Sequence, residues 1–276
     1  MKQILSMLMS VAIVLGASAA DKLPDGNRVV LKPSREFNSI VVNGNAVVEC
    51  KFHPERCGYV VYYTDNNEVP RINVVNYDNQ LVIDADTTAN AITSRITVLC
   101  HGSLENVVVN GGVVLSKRLP ANSQFSLVVN GNGSAYIGRI ETGVFSAVNN
   151  GPGAIGIRAV KSDEINIIDN GSGKVSVADV ETPQLSVLNN GDGAITLNGK
   201  ARTAMYSANG KGDIYAMGLK CFDLSAQVQN EGSIGCDVKN RVVVNILGSG
   251  TVMGRRYPRE VQGNVENPFK LVPKSK

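Results

Sequence analysis

The chain has 276 residues, 43% of them hydrophobic but only 5% aromatic, with 28 glycines and no Trp. That length permits one large or two smaller domains, and small aliphatic residues with abundant glycine suit a narrow interior built from stacked repeats. Lys and Arg number 27 against 24 Asp and Glu, and the net charge of +3 carries no basic stripe interleaved with aromatics, so no nucleic-acid partner is expected.

Residues 1–20 read as a secretory signal peptide. Lys2 precedes an apolar run from Ile4 to Leu15, and Gly16-Ala17-Ser18-Ala19-Ala20 before Asp21 supplies the small-residue cleavage pattern Ala17-x-Ala19. The run is too short to span a bilayer, no later segment is apolar and long enough to do so, and no Cys follows the signal to carry a lipid. The expectation is an exported protein of the periplasm, cell surface or extracellular space, its mature chain beginning at Ala20 or Asp21. An uncleaved N-terminal helix is the alternative.

Residues 21–105 predict an N-terminal β region, less regular than the repeats C-terminal to it and suited to capping them, as the terminal units of solenoids must. Strands are expected over 37–49, 58–63, 71–77, 80–85 and 93–99, with turns at Asp65-Asn66-Asn67 and Tyr77-Asp78-Asn79. The cysteines are Cys50, Cys57, Cys100, Cys221 and Cys236, and an odd number in an exported chain leaves one unpaired unless chains cross-link. Strands on either side of 51–56 could form a hairpin joining Cys50 to Cys57. The other reading is five buried small apolar residues, preferred for Cys236. There is no CxxC, and His53 and His101 lack a partner motif, so no metal and no cofactor is expected.

Residues 106–254 carry a repeat: an apolar alternating run, Asn-Gly-x-Gly, then a second short apolar run. The second glycine recurs at Gly133, Gly153, Gly173, Gly193, Gly212, Gly232 and Gly250, in steps of 20, 20, 20, 19, 20 and 18. Eight and six residues before it, and two and four after it, the columns are apolar, as in Phe125, Leu127, Ala135 and Ile137. Spacing by two makes both arms strands with one buried face. Asn-Gly between apolar runs also signals hairpins, so a hairpin array must be weighed against a coil in which each copy is one rung. Like residues at like positions favour the coil, where each residue stacks over its counterpart about 4.8 Å away. The fold class is therefore all-β, a single-stranded parallel β-helix with rungs of about 20 residues, preceded by the less regular β region.

In that coil Asn130, Asn150, Asn170, Asn190 and Asn209 would form a hydrogen-bonded corner ladder, at a corner expected to need the left-handed backbone that Asn and Gly tolerate. Four residues before the glycine, alternation turns Asn149, Asp169 and Asn189 inward, a polar ladder in an apolar wall. A bulge at the corner could instead tip them out. Residues 255–276 lose the period and end in the basic Lys274-Ser275-Lys276, a disordered tail, a cap or an anionic contact.

Phe37-x-x-Ile40-x-Val42 with Gly44, Asn79-Gln80-Leu81-x-Ile83, and rungs ending in Gly248-Ser249-Gly250 and Met253-Gly254 together resemble the putative autotransporter adhesin, head GIN domain family of exported bacterial proteins. The resemblance covers Arg35 to Pro258. It departs where family members usually carry Ser before the first glycine and this chain mostly carries Asn. It implies a β-helix similar to those of pectin-lyase-like proteins, on an exported adhesin, with no active site to transfer.

Lyases and hydrolases on such folds cluster acids with Lys or Arg on one outer face. Here Glu141 and Glu181 share a column two rungs apart, and Asp192, Asp213 and Asp237 occupy three others. The reading is a non-enzymatic surface or secreted module binding a glycan, envelope component or protein along its lateral face. A pectin-lyase-like carbohydrate-active enzyme and a purely architectural role are the alternatives. Outward Tyr136 and Tyr215, each three residues after a rung glycine, are the candidate ligand-binding aromatics.

Overall fold

The structure, a computed structural model, describes residues 28–31, 36–54, 57–63, 72–85, 94–102, 104–119 and 121–272. The leader 1–20, the turn at Asp65-Asn66-Asn67 and the basic end Lys274-Ser275-Lys276 lie outside them. Among the described residues there is no helix, and none therefore long and apolar enough to cross a membrane.

Up to residue 116 the strands are β1 (Arg28–Leu31), β2 (Ser39–Asn43), β3 (Val47–Phe52), β4 (Gly58–Tyr63), β5 (Ile72–Tyr77), β6 (Gln80–Ala85), β7 (Ser94–Cys100), β8 (Leu104–Val109) and β9 (Val113–Ser116). Their stacking departs from chain order. β2 pairs in parallel with both β6 and β8, and β3 with both β7 and β9. The coil written second, β6 and β7, is thus outermost, and the coil written first lies between it and β8–β9. β5 runs antiparallel to β6 through Asp78 and Asn79, both left-handed with φ of 46° and 64°. β4 runs antiparallel to β7 and β1 to β4. Both open edges of the outermost coil are thereby paired, which blunts an edge that would otherwise template aggregation.

Two sequence-based expectations do not hold in this region. Residues 37–49 are not one strand: the chain turns at Gly44, φ 79°, and splits into β2 and β3. Nor do β3 and β4 form a hairpin between Cys50 and Cys57, because β7 stands between them and pairs with each. All five cysteines are free thiols. Cys50 and Cys100 meet as buried neighbours, and that contact pushes the Cys100 thiol far above its ordinary range.

From β10 (Ala121–Val129) the coil is regular: β11 (Ser134–Glu141), β12 (Val144–Asn149), β13 (Ala154–Lys161), β14 (Glu164–Asp169), β15 (Lys174–Asn189), β16 (Ala194–Ala208), β17 (Ile214–Val228) and β18 (Ile234–Ile246). Like stacks on like in parallel register. Phe125 lies beside Phe145, which lies beside Ile165, Leu185, Ala204 and Leu224 in turn. This is a coil and not a hairpin array. Within β15, Val175 and Val177, then Val180 and Thr182, then Leu185, Val187 and Asn189 are buried. The exposed pairs 178–179 and 183–184 mark two bends, so each rung has three sides, the third corner being Asn-Gly-x-Gly. Aliphatic side chains fill the interior, with the Phe125 and Phe145 rings stacked at 6.1 Å.

The left-handed backbone expected at that corner is present at Gly44, Gly112 and Gly131, but from Gly151 onward its glycines have a different cause. Gly131 is left-handed at φ 57°, but Gly153, Gly173 and Gly193 are not. They are required by close stacking: a Cβ on Gly173 would overlap the Gly153 carbonyl oxygen, and one on Gly193 the Gly173 carbonyl oxygen.

Past 254 the coil continues. After β19 (Val252–Gly254), β20 (Glu260–Gly263) pairs in parallel with residues 241–244, and β21 (Lys270–Leu271) with β19. Phe269, 3% exposed, packs against Tyr257 and closes the end of the core. The described part of the tail, to residue 272, is a further partial rung.

Candidate functional site: a groove along successive rungs

At the glycine corner the Asn side chains bond rung to rung. Each donates its amide to the carbonyl oxygen of the rung before: Asn130 to Asn110 at 2.7 Å, Asn150 to Asn130 at 2.9 Å, Asn170 to Asn150 and Asn190 to Asn170 at 2.8 Å, Asn209 to Asn190 at 2.9 Å. Asn110 donates in turn to Asn43 at 2.7 Å. Every amide points the same way and every oxygen is used, so this column holds the fold and offers a ligand little.

Inside the corner, Asn149, Asp169 and Asn189 are fully buried. Asn149 donates to Asp169 Oδ1 at 3.0 Å, and Asp169 Oδ1 also accepts the Gly171 N–H at 3.1 Å. The Asn189 Oδ1 accepts the Gly191 N–H and its amide donates to the Gly193 carbonyl at 2.8 Å, whereas the Asn149 amide also donates to the Gly151 carbonyl and its Oδ1 has no hydrogen-bond partner. Asp169 Oδ2 has no hydrogen-bond partner, and burial pushes the carboxyl above its ordinary range despite the bonds from Gly171 and Asn149. Sealed from solvent, this trio has no access to a substrate.

Tyr136 and Tyr215 are 48% and 50% exposed, in one column with Gly156, Ser176 and Thr196 between them. Four rung steps separate them by about 19 Å. The Tyr136 ring lies over Gly156, and the Tyr215 hydroxyl donates to Asp213 at 2.5 Å, a bond that raises the phenol's pKa.

A concavity lies on another side. A groove of about 920 Å³ runs along the solenoid axis between two outward columns. One wall is Glu141, Lys161, Glu181 and Lys200, in register one per rung; the other includes Asp163, Pro183, Arg202 and Phe222. Its floor is the inward column Thr142, Ser162, Thr182 and Ala201. Those hydroxyls are committed to backbone carbonyls at the bend: Thr142 donates to Asn122, Ser162 to Gly143 and Glu164, Thr182 to Asp163 and Gln184. None is poised as a nucleophile.

Nor are the two groove glutamates arranged as an acid and base pair. Lys161 stands between them in the column. Glu181 is bridged by Lys161 at 3.5 Å and Lys200 at 3.4 Å, which hold its carboxyl below the ordinary range. Glu141 is bridged by Arg118 at 3.7 Å and Arg139 at 2.5 Å. Among the described residues, no group of His, Cys, Asp and Glu is placed to hold a metal ion. The repeat period alone puts Glu141 and Glu181 in one column but does not disclose the groove, whose signal is the alternation of sign seven or eight residues after successive rung glycines.

Comparison with known proteins adds to this. Residues 148–255 match the family model described as putative auto-transporter adhesin, head GIN domain, so the resemblance read from the rungs holds over that stretch. The fold is shared with a putative adhesin from Parabacteroides distasonis, at 21% identity over 90% of this chain and 98% of that one, TM-score 0.62. A putative adhesin from Parabacteroides merdae has 18% identity over 90% and 95% of the two chains, TM-score 0.61. A P. distasonis protein described as a putative lipid binding protein has 16% identity over 90% and 97%, TM-score 0.56. No curated protein matches the chain significantly.

Proposed function

We propose that this is an exported, non-enzymatic adhesin-like module of a bacterial surface, which holds an extended glycan, envelope component or protein along the side of its solenoid. The observation that carries the reading is the groove: it follows the axis across successive rungs, and its floor hydroxyls and two of its acids are already engaged. An open track of this kind suits a polymer better than a small molecule, which favours an enclosed pocket. The family match of residues 148–255 and the apolar leader support the surface assignment.

The test is to incubate the purified chain with envelope fractions and a panel of host and bacterial glycans. Saturable retention without release of reducing or unsaturated ends is expected. Release of such ends, abolished by Glu141→Gln, would overturn the reading in favour of a polysaccharide lyase or hydrolase.

A further inference from the structure

Resting on that proposed adhesive role, we infer that the groove takes an acidic polysaccharide, a carboxylated or sulfated glycan chain laid along the rungs. The ion pairs leave a surplus of positive charge. Glu141 and Glu181 each face two cations, so each cluster carries one positive charge in excess. Arg202 on the opposite wall and Lys220, next in the column after Lys200, are exposed and form no ion pair among the described residues; Asp163, at one end, is the unpaired acid. The lining itself carries three acids and three bases, and the flanking Arg118, Arg139 and Lys220 bring the groove with its rim to a positive surplus, although the chain as a whole is nearly neutral at +3. Cations along the rim of a concave surface draw in a ligand of the opposite sign.

Shape and apolar contacts narrow the class. From the rung of Glu141 to that of Phe222 is four steps, about 19 Å. Along it the cationic Lys161 and Lys200 stand two steps, about 10 Å, apart with Glu181 between them, and Lys220 follows one step on. An extended polymer with an anionic group on successive units can meet several of them at once. Phe222, 42% exposed, and Pro183, on either side of Arg202 in that wall, offer apolar surface against which the face of a sugar ring can pack. One aromatic in the groove is too few for the successive base stacking of single-stranded nucleic acid, and the chain carries no continuous basic stripe for a duplex. With the floor hydroxyls turned to the backbone, selection falls to the walls.

Glu181 supplies the discriminating test, because it competes with any anionic ligand for Lys161 and Lys200. Binding of the full mature chain would be measured by affinity electrophoresis against polygalacturonate, heparin, dextran and duplex DNA. Retardation by polygalacturonate or heparin, weakening with salt, is expected, the two arms separating carboxylate from sulfate recognition. Dextran and DNA should leave mobility unchanged. Glu181→Gln should tighten binding severalfold, and Arg202→Glu with Lys220→Glu should weaken it at least tenfold without moving the melting temperature. Equal retardation by dextran, stronger binding of DNA, or polyanion binding indifferent to all three substitutions would overturn the inference. Retention on envelope fractions that persists in those variants would overturn the groove assignment while leaving the adhesive role standing. No retention of the wild-type chain on any fraction or glycan would remove both.

Discussion

Asn43 donates its side-chain amide to the Asp84 carboxylate at 2.6 Å, and that contact ends the corner ladder. A column of amides all donating in one direction finishes on an acceptor, and the Asp84 side chain supplies it. At the other end Asn209 takes a hydrogen bond on its oxygen from the Ser207 hydroxyl at 2.8 Å. The ladder is satisfied from end to end, and it ties the out-of-order coils to the regular ones.

Asn170→Val should therefore cost about 1 to 2 kcal/mol, since it strands the Asn150 oxygen and the Asn190 amide while solvent repays part of the loss. Lys174→Ala, on an exposed outer position, should cost little. Denaturant unfolding of the two variants measures the difference, and equal midpoints would contradict the ladder.

Asp169 makes stability depend on pH. Burial raises its folded pKa above the unfolded value. Between the two, the folded chain keeps a proton that the unfolded chain has released, so stability falls as pH rises through that window and the loss is complete above the folded pKa. Asp169→Asn removes this slope and places an amide where Asn149 and Asn189 already have one. It should stabilise the protein at neutral pH by about 1 to 3 kcal/mol, with little effect at acid pH, as read from melting temperatures across the range.

Tyr206 is fully buried, and its hydroxyl has no hydrogen-bond partner. Tyr206→Phe keeps the packing and removes the unpaired group, so stability should stay level or rise by about 1 kcal/mol. A loss of more than that in calorimetry would mean the hydroxyl is engaged.

The two classes of corner glycine separate by mutation. Gly173→Ala drives a methyl into the neighbouring rung's carbonyl and should cost more than about 3 kcal/mol. Gly131→Ala meets open space at a left-handed backbone and should cost about 1 kcal/mol. The reverse order in thermal unfolding would restore backbone conformation as the reason for glycine.

That reversal of cause shows what was legible. The coil, the four inward columns of its two strand arms and the Asn corner could be read because each residue type recurs at one period, and stacking turns a period into a contact. The threading of β6, β2 and β8 could not: Val41 pairs with Val82 and Val108, separations that belong to no repeat. The continuation of the coil past 254 was hidden for a similar reason, since Phe269 reaches the core through an irregular connection. The groove was missed because Lys161, Lys200 and Arg202 are ordinary surface cations one at a time. Only the register sets them in walls, and only the bend between two outward columns makes the space between them concave.

Attachment along the side of the solenoid is tested most directly by a lysine-reactivity footprint of the chain bound to the envelope fraction or glycan that retains it. Lys161, Lys200 and Lys220 lie in one column on successive or near-successive rungs, while Lys174 opens a different side. Protection of the three together, with Lys174 still reactive, is the predicted result. Protection confined to one rung, or equal at Lys174, would contradict a partner held along the groove.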